Sequence, residues 1–182
     1  FTEPARDAYR ATKRARNEID YDDLLVLLDE ALASPQGAAL RELVRQEVQL
    51  FVNDEFQDAN KLIYSYRQGE VARGLIRPLW LEPDYPGRAV LCGDGRQSIY
   101  AWRGADVHAS FLRAKQELQA RGAVESLRRS FRATPRLVAG MNDLFRQDAT
   151  PAFFQGEIDY REPMEVGRPG LRALGLEGRE VE

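Results

Sequence analysis

The sequence predicts an α/β fold, a parallel sheet with crossover helices, on three observations. Two short apolar runs, "VQLFVN" from Val48 and "RAVLCGD" with its core at Ala89 to Cys92, have the length and bounding polar residues of buried parallel strands. Segments with helical signals precede the first run and follow both. The resulting order of strand, helix, strand, helix is that of a sheet built with crossover connections.

Taken in order, residues 3 to 17 read as a charged helix, with Thr2 as N-cap and Pro4 in the first turn. A second helix starts at Asp20 or Tyr21, where "DYDDLLVLLDEALAS" sets acids at the N-terminus and Leu24, Leu27, Leu28 and Leu32 on one stripe. "SPQG" breaks it, and residues 38 to 47 form a third helix burying Ala39, Leu40, Leu43 and Val44. Between the apolar runs lie a helix around Lys61 to Gly69 and a less regular stretch, "RGLIRPLWLEPDYPG". Then follow a helix at Val107 to Ala120, a strand at Val124 to Leu127, and a helix from Thr134 to Phe145 with Thr134 as N-cap and Pro135 at its first position. The tail beyond Pro163 is rich in Gly and Pro and ends in "GREVE", as if partway through an element.

The chain has 182 residues, 43% of them hydrophobic, enough for a real core. No run approaches the roughly 18 apolar residues of a membrane span, and "FTEPARDAYR" does not read as a signal peptide. Beginning at Phe1, the chain is expected to be a piece of something longer. One cysteine, Cys92, and one histidine, His108, exclude an internal disulfide and a zinc site of the usual kind, which fits a reducing, cytoplasmic setting. With a net charge of −3, nucleic acid could be held only by local patches such as "LRRSFRATPR", which reads equally as a solvated basic face.

The acids of "LFVNDEFQDAN" stand where ligands bind in open α/β sheets, at the carboxyl end of a strand. Asp54 could reach a hydrated Mg²⁺ while Glu55 faces a water, the division of labour that nucleotide hydrolysis requires. Helix capping, with Asp54 as N-cap and Asp58 in the first turn, is the alternative. The second strand end, "CGDGRQSIYAWRGAD", adds Gly93 and Gly95 for a tight turn and Gln97, whose amide can contact a terminal phosphate and the water beside it. Trp102 offers a face for a nucleobase or a side chain for the core.

These segments resemble a known family. "DEFQDAN" is similar to motif II, "GDGRQSIYAWRGAD" to motif III and "LRRSFRATPRLVAGMNDLF" to motif IV of the UvrD/Rep superfamily 1 DNA helicases, in the correct order. "IDYDDLLVLLDEAL", "RGADV" and "GEIDYREPM" resemble most the RecB and AddA branch, the motor subunits of recombination helicase-nucleases, the exodeoxyribonuclease V beta type being nearer. The resemblance covers roughly residues 19 to 165, apart from the connection between motifs II and III.

The resemblance implies a RecA-like parallel sheet with flanking helices, the P-loop NTPase helicase fold in incomplete form. Residues 1–47 would be a helical segment leading into the first motor domain, 48–123 part of that domain, and 124–182 the start of the second. It also implies use of ATP and Mg²⁺, binding of single-stranded DNA, and partnership with other subunits of a helicase-nuclease complex. Asp54 would hold the Mg²⁺ of MgATP, Glu55 would activate water, and Gln57 and Asp58 would complete the nucleotide site. Gln97 would report the γ-phosphate to Tyr100, Trp102 and Arg103 at the DNA. Phe131 would stack on adenine and Arg132 would reach the γ-phosphate as an arginine finger.

There are departures from the family pattern. Ser130 stands where motif IV has Asn, Phe131 where it has Tyr or Trp, and Asn53 and Ala59 flank motif II. The stretch between motifs II and III is long, pointing to an insertion around "SYRQGEVARG" or "LEPDYPG". No GxxxxGKT phosphate loop occurs, so the isolated chain is expected not to hydrolyse ATP. The alternatives to a helicase segment are a degenerate, non-catalytic interaction module and, more distantly, a metal-dependent hydrolase using Asp54, Glu55, Asp58 and Asp94.

Overall fold

The computed structural model describes residues 3–64, 66–68, 71–146, 148–154 and 156–172. The expected N-cap Thr2 and the "GREVE" tail lie outside the described residues, as does part of the expected helix over Lys61 to Gly69. The chain divides into two compact units, Phe1–Arg113 and Ala114–Glu182. It is helix-rich, with small two-stranded sheets, two parallel and one antiparallel.

In the first unit, helix α1 (Glu3–Arg16) is followed by α2 (Tyr21–Ala33) and α3 (Gly37–Glu47). A capping box starts α2: Asp20 accepts from the Asp23 amide and Asp23 accepts from the Asp20 amide, both at 2.9 Å. Lys13 of α1 pairs with the carboxylates of both, and Tyr9 donates to Asp20, so the two helices are joined by one cation.

The apolar stripe expected on α2 is rotated. Leu25, Asp29 and Leu32 face inward, whereas Leu24, Leu27 and Leu28 remain exposed. The cause is Asp29, almost fully buried, whose carboxylate accepts from the Gly74 amide at 2.8 Å. A buried carboxylate needs such a donor, so that bond fixes which side of the helix turns in. Leu32 packs with Leu75 and Leu79, and Leu25, Leu40, Val44 and Trp80 close the cluster. Ala39 and Leu43 of α3 are exposed, contrary to expectation. The inward side of that helix holds Arg45 instead, in a two-pronged ion pair with Asp84.

Strands β1 (Leu50–Asn53) and β4 (Arg88–Leu91) pair in parallel, Leu50 opposite Arg88 and Asn53 opposite Leu91. They are half-buried rather than fully buried: Leu50 and Val52 are exposed while Phe51 stacks on Trp80 at 4.0 Å. In the connection, helix α4 covers Lys61–Tyr64, where a helix to Gly69 was predicted. The hairpin β2 (Tyr66–Gln68) and β3 (Val71–Arg73) takes its place, followed by α5 (Ile76–Trp80). The hairpin coincides with the first proposed insertion. Beyond β4 the chain forms two 3-10 turns and a π-helical turn, His108–Leu112.

The second unit begins in helix α6 (Arg113–Gln119). The strand expected at Val124 to Leu127 is absent: those residues have no regular structure, and Leu127 is exposed. The strand lies two residues later, β5 (Arg129–Ser130), where pairing with a partner is available. That partner is β6 (Glu165–Val166), parallel to it and unpredicted. Between them α7 (Pro135–Phe145) starts at Thr134, whose hydroxyl accepts from the Leu137 amide. Asn142 clamps the return of the chain, accepting from Tyr160 Oη and the Met164 amide and donating to the Met164 carbonyl. No helix among the described residues is long and apolar enough to cross a membrane.

The hydrogen bond from Lys13 holds the Asp20 carboxyl at about 2, below its ordinary 3.8, and lowers Asp23 in the same way. A carboxyl depressed in the folded state adds stability above its unfolded value and loses it as pH falls through the folded value. The difference in thermal midpoint between the wild type and Lys13→Met is therefore expected to be constant at neutral pH and to shrink between about pH 4 and about pH 2. Thermal unfolding followed by circular dichroism over that range checks it.

Candidate nucleotide and nucleic-acid site

The parallel pairing sets the two strand ends side by side and continues past them. The Cys92 amide donates to the Asn53 carbonyl at 2.8 Å, and the Phe56 amide donates to the Cys92 carbonyl at 2.8 Å. The acids after β1 and the glycine turn after β4 thus leave the sheet as neighbours.

Asp54 and Glu55 are exposed. Asp54 caps no helix: among the described residues its Oδ1 accepts from the next amide, that of Glu55, at 2.9 Å. Asp58 does lie in the first turn of a short 3-10 helix, Phe56–Asp58, but the residue before that helix is Glu55, so the capping alternative fails at Asp54 alone. Glu55 has a φ of 52°, in the left-handed region that a side chain with a Cβ adopts only when its surroundings impose it. Here the following amide is held by Cys92 and the Glu55 carbonyl accepts from the Asp58 amide at 2.9 Å. The Asp58 Oδ1 atom is buried and has no hydrogen-bond partner among the described residues.

Gln57 is buried at 2% exposure, with both ends of its amide engaged. Nε2 donates to Glu55 Oε2 at 2.6 Å, and Oε1 accepts from the Asp94 amide at 3.1 Å. Burial pushes the Asp94 carboxyl up, but hydrogen bonds from Arg96 outweigh this and hold it below the ordinary carboxylate range. Gln97 is exposed and donates to Asp94 Oδ2 at 3.3 Å.

A 3-10 turn, Ala101–Arg103, presents the aromatic pair. Trp102 is 79% exposed, which removes the core reading for it. Its ring centroid lies 6.3 Å from that of Tyr100, and the Arg103 guanidinium sits 5.6 Å from each ring. Two flat faces and a cation on one exposed turn are suited to stacking and phosphate contact.

The loops that follow β1 and β4 are braced from behind by residues that sequence reasoning missed. The Ser110 hydroxyl, fully buried in the π-helical turn, bonds the Ala59 carbonyl at 2.7 Å, and the Asp106 amide bonds the same carbonyl. Phe111 packs against Phe56 and beneath Gly93 and Gly95. The paired glycines of "GDG" signalled a tight turn, but nothing in the local pattern marked Ser110.

In the second unit Phe131 is 55% exposed and Arg132 is exposed, directly after β5. Arg128 and Arg129 both pair with Glu165 of β6, at 3.0 and 3.3 Å. Half of the basic patch is therefore tied within the unit, while Arg132 and Arg136 are exposed. Gly167 lies against Phe131: a Cβ there would stand 2.7 Å from the Ser130 carbonyl and 2.8 Å from the Phe131 ring.

Among the described residues no group of three or more His, Cys, Asp or Glu is placed to hold a metal ion. A Mg²⁺ carried by substrate phosphates needs only one or two carboxylates. Asp54, exposed and with one oxygen engaged by its neighbour's amide, fits that need.

The family model for the UvrD/REP helicase N-terminal domain matches residues 2–119. The chain belongs to the UvrD/REP helicase family. Among its relatives is RecBCD enzyme subunit RecB of Escherichia coli (strain K12), 32% identical over 164 residues, 90% of this chain and 12% of that protein. The same RecB protein from Haemophilus influenzae is 34% identical over 143 residues, 79% of this chain and 11% of the relative. The AddA-type ATP-dependent helicase/nuclease protein of Exiguobacterium sibiricum is 31% identical over 160 residues, 85% of this chain and 12% of the relative. The chain thus spans about one-eighth of the length of these relatives. Membership in this helicase family and likeness to the RecB and AddA proteins agree with the resemblance drawn from motifs II, III and IV.

Gly167→Ala is expected to destabilise the second unit by about 1–3 kcal/mol, the cost of overpacking a close contact, and to displace the Phe131 ring. Denaturant titration and the aromatic resonances of Phe131 report the two effects.

Proposed function

We propose that the chain is a segment of a RecB-like, ATP-dependent DNA helicase, with half of the nucleotide site and part of the DNA-binding surface. The observation that carries this reading is the tie between Glu55 and the Asp94–Gln97 turn through Gln57, at the ends of two hydrogen-bonded parallel strands. Such a tie joins an acid that could prepare water to an amide that could contact a terminal phosphate.

On this reading residues 48–123 are part of a RecA-like motor domain and residues 124–182 begin another. Helices packed on the face of a RecA-like sheet would cover Leu50 and Val52, which are now exposed. Asp54 holds the Mg²⁺ of MgATP, which neutralises charge between phosphates. Glu55 accepts a proton from the attacking water, and Gln97 contacts the γ-phosphate. Arg132 neutralises charge on the transferring phosphoryl group and Phe131 stacks on adenine. Tyr100, Trp102 and Arg103 bind single-stranded DNA. The relatives are named as subunits of larger enzymes, which favours further subunits as partners.

In the full encoded protein, Glu55→Gln is expected to lower DNA-stimulated ATP turnover by about 10²-fold or more while MgATP still binds. The 182-residue chain alone, lacking a phosphate loop, is expected not to turn over ATP. No DNA-stimulated ATP turnover in the full wild-type protein would favour a non-catalytic module instead, and unchanged turnover in the Glu55→Gln protein would overturn the role given to Glu55. Trp102→Ala is expected to weaken single-stranded DNA binding by about 1–3 kcal/mol, read by fluorescence anisotropy of a labelled oligonucleotide.

A further inference from the structure

We infer that Gln57 is a positioning residue, which fixes the Glu55 carboxylate and links it to the turn bearing Gln97, and does not itself contact the nucleotide. The inference rests on the proposed roles of Glu55 and Gln97.

Three observations carry it. First, Gln57 is buried, so its side chain does not reach an incoming ligand without leaving its site. Second, the side chain has one acceptor and one donor group, and both are in use: Nε2 on Glu55 at 2.6 Å and Oε1 on the Asp94 amide at 3.1 Å. An amide so used has a fixed orientation, because flipping it would set donor against donor and acceptor against acceptor. Third, the space it occupies is kept open by a glycine. A Cβ on Gly93 would stand 2.7 Å from Gln57 Oε1 and 3.2 Å from its backbone amide, with Phe111 closing the other side at 3.1 Å.

Glu55 needs such a holder. It is exposed, its backbone is left-handed, and an exposed glutamate otherwise samples many rotamers. The bond from Gln57 selects those that keep Oε2 over the strand end and leave Oε1 for water. The other end of Gln57 lies on the Asp94 amide, and the Asp94 carboxylate accepts from Gln97 at 3.3 Å. The same carboxylate is gripped by Arg96 at 2.8 and 3.0 Å, so Gln57 and Gln97 meet on one braced turn whose position Glu55 shares. The acid is held in place only while the turn is, which couples hydrolysis to the state of the loop that ends in Trp102.

The test compares steady-state kinetics of the full encoded protein with single-stranded DNA. Gln57→Leu, close in volume but without the amide, is expected to lower kcat about 10-fold or more with KM for MgATP within about 2-fold, the pattern of a misplaced catalytic group. Gly93→Ala, which leaves the Gln57 chemistry intact but crowds it, is expected to show the same split. A raised KM with unchanged kcat would make Gln57 a nucleotide contact and overturn the inference, as would unchanged kcat in both variants. In the 182-residue chain, Glu55→Gln is expected to shift the Gln57 side-chain amide resonances; no shift there would also overturn it. If Glu55→Gln retains full turnover, the role proposed for Glu55 fails, while the amide shift still reports whether Gln57 holds residue 55.

Discussion

The parallel pairing of β1 with β4 is the constraint on which the first unit depends. A parallel ladder fixes not only that two segments are adjacent but that their carboxyl ends point the same way. The register, with Asn53 opposite Leu91, means that the chain departs from both strands at the same level. Two further bonds through Cys92 carry the pairing beyond the strands proper, so the acids and the glycine turn start from a shared frame. A one-residue slip would exchange the exposed and inward sides of β1 and remove Phe51 from Trp80.

What the frame supports is a separation between exposed reactive groups and buried groups that hold them. Asp54, Glu55, Gln97 and Trp102 are exposed, while Phe56, Gln57, Gly95 and Ser110 directly beneath or between them are buried. Burying an amide such as that of Gln57 is costly unless its hydrogen bonds are made, and here they are made to the proposed base, Glu55, and to the backbone of the turn that bears Gln97. The stability of the loop core and the geometry of the site are therefore one quantity. The left-handed Glu55 belongs to the same balance, its conformation held by the amides and carbonyls on either side.

Much of this was legible in the sequence, and the rest was not for physical reasons. The helices starting at Tyr21 and Pro135 were readable because Asp20 and Thr134 are local capping signals. The strands at Phe51 and Val90 were readable as apolar runs, and the acids and glycines after them as strand-end loops. The inward side of α2 was not, since periodicity favours Leu24 and Leu28 whereas the deciding contact is a buried carboxylate with Gly74, far along the chain. The hairpin after Tyr64 was unread because its residues carry no strong turn pair. Strand β5 was placed early, at Val124 to Leu127, because apolar content there outweighed a pairing with Glu165 that no local pattern encodes. Gln57 was read as a nucleotide contact from its motif, and its burial is a property only of the folded chain.

The two units, each considered alone, hold their exposed functional side chains by the same device. In each, the first amide past the later strand bonds the last carbonyl of the earlier one: Cys92 to Asn53 in the first, Gly167 to Ser130 in the second. In each, a glycine on the later strand's exit lies under a side chain from the earlier strand's exit, Gly93 under Gln57 and Gly167 under Phe131. A parallel pair of a few residues gives little stability by itself, so its worth here lies in direction and level. The glycine then converts that level into side-chain position, because the facing residue can lie flat across the strand end only where no Cβ stands. Substitution at either glycine would leave every proposed functional residue in place chemically and still misplace the group above it. Residues that look like turn formers in the sequence are thereby as much a part of each site as the acids, amides and aromatic rings that they support.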